Sequence, residues 1–275
     1  MPETPTVRLS NGVDIPQVGF GVFQVPPDDT AAIVVAALEA GYRHIDTAQG
    51  YGNETGVGQA IRQVGLDRDE VFVTTKLDNS RQGRDEARKA LDESLERLGF
   101  DYVDLYLIHW PRPFADRYVE TWQGFEQILA EGKARAIGVS NFLPAHLQRL
   151  AAETGTVPAV NQIELHPYLQ QAELRAYHRE NAIATEAWAP IGQGGELLAD
   201  PAITALADEY GKTPAQIVLR WHLQLGNIVF PKTVRPQRMR ENLDLFDIEL
   251  TSDDMAVIGA LDRGRRLGPD PETFG

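Results

Sequence analysis

Short apolar runs recur along the chain at residues 18–21, 43–46, 71–76, 103–109, 134–139, 160–164, 183–188 and 228–230. Continuous runs of this length, rather than strict alternation, are what strands covered on both faces need, so the pattern predicts eight buried parallel strands. Between them the apolar residues fall at helical spacing. In 28–40, Ile33, Val34, Ala37 and Leu38 share one face and Gly41 ends the run. In 84–98, Ala87, Leu91, Leu95 and Leu98 align, charges cover the other face, and Gly99 closes the segment. Ahead of the first run, apolar residues in 6–18 flank an Asn11-Gly12 pair suited to a tight turn, which predicts a hairpin. Strands alternating with helices through eight units predict an α/β fold, a (β/α)8 TIM barrel with an N-terminal β-hairpin, filling residues 1–275 as a single domain. An open doubly wound sheet fits less well, because no G-x-G-x-x-G follows any of these strands.

Composition narrows the picture. The first dozen residues are polar and broken by Pro2 and Pro5, so they lack the apolar core of a signal peptide. The longest apolar stretch, around 31–38, falls far short of the roughly 18 to 20 residues that cross a bilayer. Both features predict a cytoplasmic protein with no membrane partner. The chain has no cysteine, which excludes disulfides, thiolate metal sites and thiol nucleophiles together. A net charge of −14 repels nucleic acid and anionic surfaces, so any anionic ligand must meet a local basic patch. Of the 26 cationic residues only five are lysines: Lys76, Lys89, Lys133, Lys212 and Lys232. Generic positive charge is thus given to arginine, and a lysine is informative because a partly buried one can shift its pKa.

Two of the five lysines belong to a series at the strand ends. Asp46, Lys76, His109, Ser140 with Asn141, Gln162, Trp188 and Lys232 stand at or near the ends of successive predicted strands, from the second to the eighth. In a barrel such positions converge on one mouth, where catalytic groups are drawn from several strands. Taken singly, Asp46 reads as a helix cap, Lys76 as a partner for any acid, and His109 and Trp188 as core residues. Together an aspartate, a lysine and the nearby Tyr51 form an acid–base device. Asp46 keeps Lys76 charged, Lys76 acidifies Tyr51, and the phenol gives a proton near neutral pH to a carbonyl oxygen that is gaining charge. His109 supplies a hydrogen bond that orients that carbonyl.

These residues lie in motifs that resemble the aldo-keto reductase family. They are Gly41-Tyr42-Arg43-His44-Ile45-Asp46-Thr47-Ala48, Tyr51-Gly52-Asn53-Glu54, Val73-Thr74-Thr75-Lys76, Asp104-Leu105-Tyr106-Leu107-Ile108-His109-Trp110, Gly138-Val139-Ser140-Asn141-Phe142, Asn161-Gln162-Ile163-Glu164-Leu165-His166-Pro167 and Pro231-Lys232-Thr233. Within the family, Gly19-Phe20-Gly21-Val22-Phe23 and Trp188-Ala189-Pro190-Ile191-Gly192-Gln193-Gly194 look most like bacterial 2,5-diketo-D-gluconic acid reductases. The resemblance implies reduction of aldehydes or ketones with NADPH, a catalytic tetrad of Asp46, Tyr51, Lys76 and His109 with Tyr51 as proton donor, and a monomer. It implies that Ser140, Asn141 and Gln162 hold the nicotinamide carboxamide and that Trp188 stacks on the ring. Val22, Ala189, Pro190, Gly192 and Gln193 are implied as further cofactor contacts. Lys232, Thr233, Val234, Arg235, Arg238, Glu241 and Asn242 resemble the clamp on the adenosine 2′-phosphate, a sensible anion site in an acidic protein. Phe23, Asp78 and Trp110, with Tyr51 and His109, are implied around the small-molecule carbonyl substrate.

Two departures bear on that substrate. Asp78 stands where the family often has a pocket tryptophan, either lining the pocket or capping a turn with Asn79 and Ser80. The tail 263–275 is short, so contacts from a long terminal loop are expected to be missing. Two rival readings remain. A metal-dependent hydrolase would need clustered ligands, whereas His109, His146, His166, His178 and His222 show no such spacing, so no metal is expected. A barrel that binds cofactor in a regulatory role with little turnover is opposed by the complete tetrad.

Overall fold

The computed structural model describes residues 4–274; Met1, Pro2 and Glu3 of the polar leader and Gly275 of the tail lie outside them. The hairpin pairs β1 (Thr6–Arg8) with β2 (Asp14–Pro16), Val7 opposite Ile15. Its turn is longer than the Asn11-Gly12 pair alone suggests. Gly12 N donates to Leu9 O at 2.9 Å and Leu9 N to Val13 O at 2.8 Å, so Ser10 and Asn11 form the turn. Gly12, at φ +88°, takes the left-handed bulge position that lets the strands keep their twist.

The parallel strands follow as β3 (Phe20–Gly21), β4 (His44–Asp46), β5 (Phe72–Leu77), β6 (Val103–Ile108), β7 (Ala134–Ser140), β8 (Val160–Glu164), β9 (Ala184–Trp188) and β10 (Ile228–Val229). They neighbour one another in chain order in one eight-stranded sheet. Val229 N donates to Gln17 O at 3.0 Å and Gly19 N to Val229 O at 2.8 Å, which joins the last strand to the chain entering the first and closes the ring. The expected run 18–21 is therefore shared: Val18 bridges β10, whereas Phe20 and Gly21 pair with β4.

Helices cover the outside. Among them α1 (Pro27–Glu39) begins at a proline suited to a first helical turn, α2 (Glu54–Val64) follows β4, and α3 (Arg84–Leu98) matches the expected span. The aligned Ala87, Leu91, Leu95 and Leu98 of α3 are buried. No described helix is long and apolar enough to cross a membrane.

Inside the ring the side chains are layered. Phe72, Leu105, Leu107, Ala136, Val160, Ile228 and Phe230 form an apolar cluster with Leu9 and Ile15 of the hairpin, which stops the end where the strands begin. Asn11 Nδ2 adds a bond to Arg135 O at 2.9 Å, at the start of β7. Above this cluster, toward the other end, lies a polar layer containing Asp46, Lys76, Gln162 and Glu186.

Candidate active site

Strand alternation sends His44 and Asp46 of β4, Thr74 and Lys76 of β5, and Gln162 of β8 to the same interior. Lys76 is fully buried and its ammonium donates to both Asp46 carboxylate oxygens at 2.7 Å and to Thr47 O at 3.0 Å. Its remaining direction leads to the hydroxyl of Tyr51, 3.5 Å away. Tyr51 ends a single 3-10 turn (Gln49–Tyr51) just past β4, with Gly52 left-handed behind it. His109, one residue beyond β6, lies edge-on to the Tyr51 ring with centroids 5.8 Å apart. The four residues 46, 51, 76 and 109 thus meet at the C-terminal end of the barrel.

Burial opposes the charge on Lys76, but Asp46, Tyr51 and Glu186 outweigh it and leave its pKa above the ordinary lysine value. For Tyr51 the balance corrects the expectation of an acidified phenol. Burial raises its pKa more than the Lys76 charge and hydrogen bond lower it, so the resting group is a firmly protonated phenol. The Lys76 cation is so placed that it can stabilise negative charge on that oxygen. Burial first, and Lys76 second, bring His109 down to about 3 despite Asp78, so its imidazole is neutral. Asp78 lies beside this group and also caps the turn that follows β5. Its Oδ1 accepts from Ser80 N at 2.9 Å and Ser80 Oγ at 2.6 Å. Although partial burial opposes its charge, these bonds with His109 and Arg81 hold its carboxyl below the usual range.

Around the mouth the other strand-end residues are linked to one another. Ser140 Oγ donates to Gln162 O at 2.7 Å; Asn141 Nδ2 donates to Ser140 Oγ and to His109 O, both at 3.0 Å. Trp188 Nε1 donates to Asn141 Oδ1 at 2.8 Å, which fixes a half-buried indole at the rim. Asn141 and Ala189, the residues just past β7 and β9, both have left-handed backbones at φ +64° and +51°. For side chains other than glycine this conformation is strained, and such strain gathers at functional sites.

Beyond Ala189, Pro190 is held by His222, whose Nε2 lies 2.9 Å from its carbonyl, and Gly192 and Gln193 border a cavity of about 260 Å³ with His166, Tyr168 and Arg265. After β10, Lys232, Val234, Arg235 and Arg238 are exposed, Thr233 and Asn242 are buried and Glu241 is intermediate. None of these seven hydrogen-bonds to the tetrad among the described residues, so they form a separate basic cluster. Val22 is buried, its N donating to Asp46 O at 3.1 Å. Phe23 is 54% exposed yet packs on the Tyr51 ring, with centroids 5.0 Å apart.

Two features escaped the sequence reading. The short tail does return to the mouth: Leu267 N and Gly268 N donate to the buried Glu164 carboxylate at 2.6 and 2.9 Å, and Phe274 packs on Trp110 at 4.4 Å. The second is Glu186, fully buried on β9 and bonded to Gln162. An acid inside the apolar run 183–188, two residues before Trp188 and hence on the same inward face, was its available signal. Among the described residues no three of His, Asp or Glu group in a way that holds a metal ion.

The Aldo/keto reductase family model matches residues 17–263. An aldo-keto reductase of Mycolicibacterium smegmatis is 56% identical over 271 residues, 98% of each chain. The methylglyoxal reductase DkgA of Escherichia coli is 50% identical over 273 residues, again 98% of each. Among solved structures, a point mutant of Gox0644 in complex with NADPH has a TM-score of 0.96 at 46% identity, with 100% of both chains covered. An aldo/keto reductase from Brucella melitensis has a TM-score of 0.91 at 52% identity, over 94% of this chain and 100% of that one. With half of all residues identical across nearly the whole length, and a family match that runs from the closing segment of the barrel to the last helix, this chain belongs to the aldo/keto reductase family.

Proposed function

We propose that the protein reduces aldehydes or ketones (small carbonyls, dicarbonyls or keto-sugars) to alcohols with NADPH, Tyr51 being the general acid. The observation that carries this reading is the buried Lys76 ammonium, held by both oxygens of Asp46 and facing the Tyr51 hydroxyl at the open end of the barrel. The rim suits a dinucleotide: a half-buried indole with its Nε1 tied down, the polar side chains of Ser140, Asn141 and Gln162 beside it, a cavity bordered by Gly192 and Gln193, and a cationic cluster at Lys232, Arg235 and Arg238. The bound nicotinamide supplies the hydride that the carbonyl carbon accepts.

The chain supplies the rest. Trp188 offers a face for the ring, and Ser140, Asn141 and Gln162 offer partners for its amide. Lys232, Thr233, Val234, Arg235, Arg238, Glu241 and Asn242 suit the adenosine end, with Val22, Ala189, Pro190, Gly192 and Gln193 between. The neutral His109 directs a ring nitrogen at the carbonyl oxygen. Tyr51 passes its proton to that oxygen as charge develops, and the Lys76 cation stabilises the phenolate left behind. Phe23, Trp110 and Asp78 border the substrate. The likeness to DkgA makes methylglyoxal a sound first substrate to try. We place the protein as a cytoplasmic monomer whose 275 residues form one barrel domain, with neither nucleic acid nor membrane as partner.

The test is Tyr51→Phe, which keeps the ring and removes the proton. Loss of a positioned general acid costs on the order of 10²- to 10⁴-fold in kcat, while the NADPH dissociation constant stays near the wild-type value. Near-normal turnover in this variant overturns the assignment. A wild type that binds NADPH but reduces no member of an aldehyde, dicarbonyl and keto-sugar panel favours the regulatory alternative.

A further inference from the structure

Gln162 stands between two carboxyl groups. Its Nε2 donates to Asp46 Oδ1 at 2.9 Å and to Glu186 Oε2 at 2.9 Å, which commits both amide protons to the barrel interior. The carbonyl end of the same amide is thereby turned away from the two acids. Glu186 comes from the neighbouring strand at the register position opposite Gln162, so the contact is built into the pairing of β8 with β9. With Asp46 as the sole acceptor, the amide could still pivot about one hydrogen bond. Two acceptors from different strands lock its plane.

The Glu186 site is a costly way to fill a barrel. The residue is fully buried, and its second oxygen, Oε1, has no hydrogen-bond partner among the described residues. An orphaned buried polar atom is destabilising, and a leucine in the same place would avoid it. Packing therefore gives no reason for a carboxyl here, whereas the bond to Gln162 does.

We propose that Glu186 is a positioning residue of the reaction, whose carboxyl fixes the Gln162 amide with its carbonyl end toward the nicotinamide amide and its nitrogen on Asp46. The proposal rests on the reading of Gln162 as a cofactor contact. The titratable groups facing Glu186 are Asp46 from β4 and Lys76 from β5; β8 contributes the neutral Gln162, and Ile228 of β10 stands opposite it in register. Burial first and Asp46 second push its carboxyl up to about 8, against the pull of Gln162 and Lys76. At neutral pH it is therefore mainly protonated, and the layer keeps one anion and one cation. Above pH 8 a second buried anion appears beside Asp46.

The experiment compares Glu186→Leu with Glu186→Gln in the full-length enzyme, reading NADPH affinity, kcat, KM for a neutral aldehyde, the pH profile and the melting temperature. Glu186→Leu removes the acceptor and is expected to weaken NADPH binding and lower kcat by on the order of ten- to a hundredfold, by analogy with the cost of removing hydrogen-bonded supports behind metal ligands, with an unchanged or higher melting temperature. Glu186→Gln keeps an acceptor oxygen and does not titrate, so it recovers most of that loss at neutral pH and abolishes any decline in kcat near pH 8 that Glu186 ionisation causes. Wild-type affinity and kcat in Glu186→Leu overturn the proposal. So does an equal loss in both variants accompanied by lower melting temperatures, because that marks a packing role. These readouts are independent of Tyr51: if Tyr51→Phe stays active while Glu186→Leu loses NADPH affinity, only the acid assignment fails.

Discussion

Replacing Lys76 by methionine keeps an unbranched apolar stem and deletes one buried charge, which separates the two jobs proposed for the same ammonium. The first job is electrostatic support of Tyr51. At the observed 3.5 Å between Nζ and the hydroxyl oxygen, a cation and a phenolate attract by about 5 kcal/mol at an effective dielectric near 20. At about 1.36 kcal/mol per tenfold, that corresponds to a fall in kcat on the order of 10³-fold. The second job is neutralising Asp46. Breaking a buried pair by removing one partner costs about 3 to 5 kcal/mol of stability, and here the stranded carboxylate keeps only Gln162 as a side-chain donor among the described residues. Lys76→Met should therefore unfold at clearly lower urea and also turn over slowly. The double variant Asp46→Asn/Lys76→Met removes the stranded charge, so most of the stability returns while kcat stays low. The assays are urea unfolding at neutral pH and initial rates of NADPH oxidation with a neutral aldehyde. A Lys76→Met enzyme within about tenfold of wild-type kcat refutes the electrostatic account, and a double variant that regains both properties assigns Lys76 to the fold alone.

Three further outcomes follow from other parts of the molecule. Lys232→Ala and Arg238→Ala should each raise the dissociation constant of NADPH far more than that of NADH, since a charge-assisted bond contributes about 1.5 to 3 kcal/mol, and added salt should narrow the gap; equal effects on both cofactors remove the 2′-phosphate assignment. Burial lowers His44 and His222 to about 3 and His178 to about 4 from an ordinary 6.5, so the unfolded chain takes up protons first, and the stability these groups carry is present above pH 6.5 and lost as pH falls toward 4 and 3. Between pH 7 and pH 5 this amounts to about 2 kcal/mol for each histidine, and urea unfolding free energies that do not change over that interval contradict it. Asp78→Asn should raise the ratio of kcat/KM for a keto acid to that for its neutral methyl ester, because a carboxylate about 6 Å from an anion opposes it by up to about 3 kcal/mol before screening; an unchanged ratio limits Asp78 to capping its turn.

Much of the barrel was legible because a parallel strand buried on both faces leaves a continuous apolar run, and because a polar residue at the end of such a run has one place to go. Asp46, Lys76, Gln162 and Trp188 could be placed on one mouth from this alone. The spacing puts Glu186 on the same face as Trp188, but its role could not be read, since that depends on facing Gln162 across a strand pair, and register is not written in either strand by itself. The return of the tail was hidden for a similar reason. Glu164 is contacted by Leu267 and Gly268 across separations of 103 and 104 residues, which no local pattern announces. The net pKa shift of Tyr51 was also out of reach. Its sign depends on how much burial opposes the charge of Lys76, and burial is a property of the folded barrel. The turn at Ser10 and Asn11 differs from expectation by a single residue, within what one glycine can accommodate.

The hairpin that stops the barrel has a consequence for how the chain is made. Leu9 and Ile15 precede every barrel strand along the chain, yet their partners include Phe72, Leu105, Val160 and finally Phe230. Gln17 beside them bonds to Leu223 and Asn227, separations of 206 and 210 residues. The stopper is thus made ahead of the barrel and can be seated only after its last strand, and the entropy of closing so long a loop is recovered only once the eighth strand exists. No nascent fragment ending before that strand can enclose a dry interior. The Lys76–Asp46 pair, which needs that dryness for its strength, is therefore a property of the finished chain and not of any half of it.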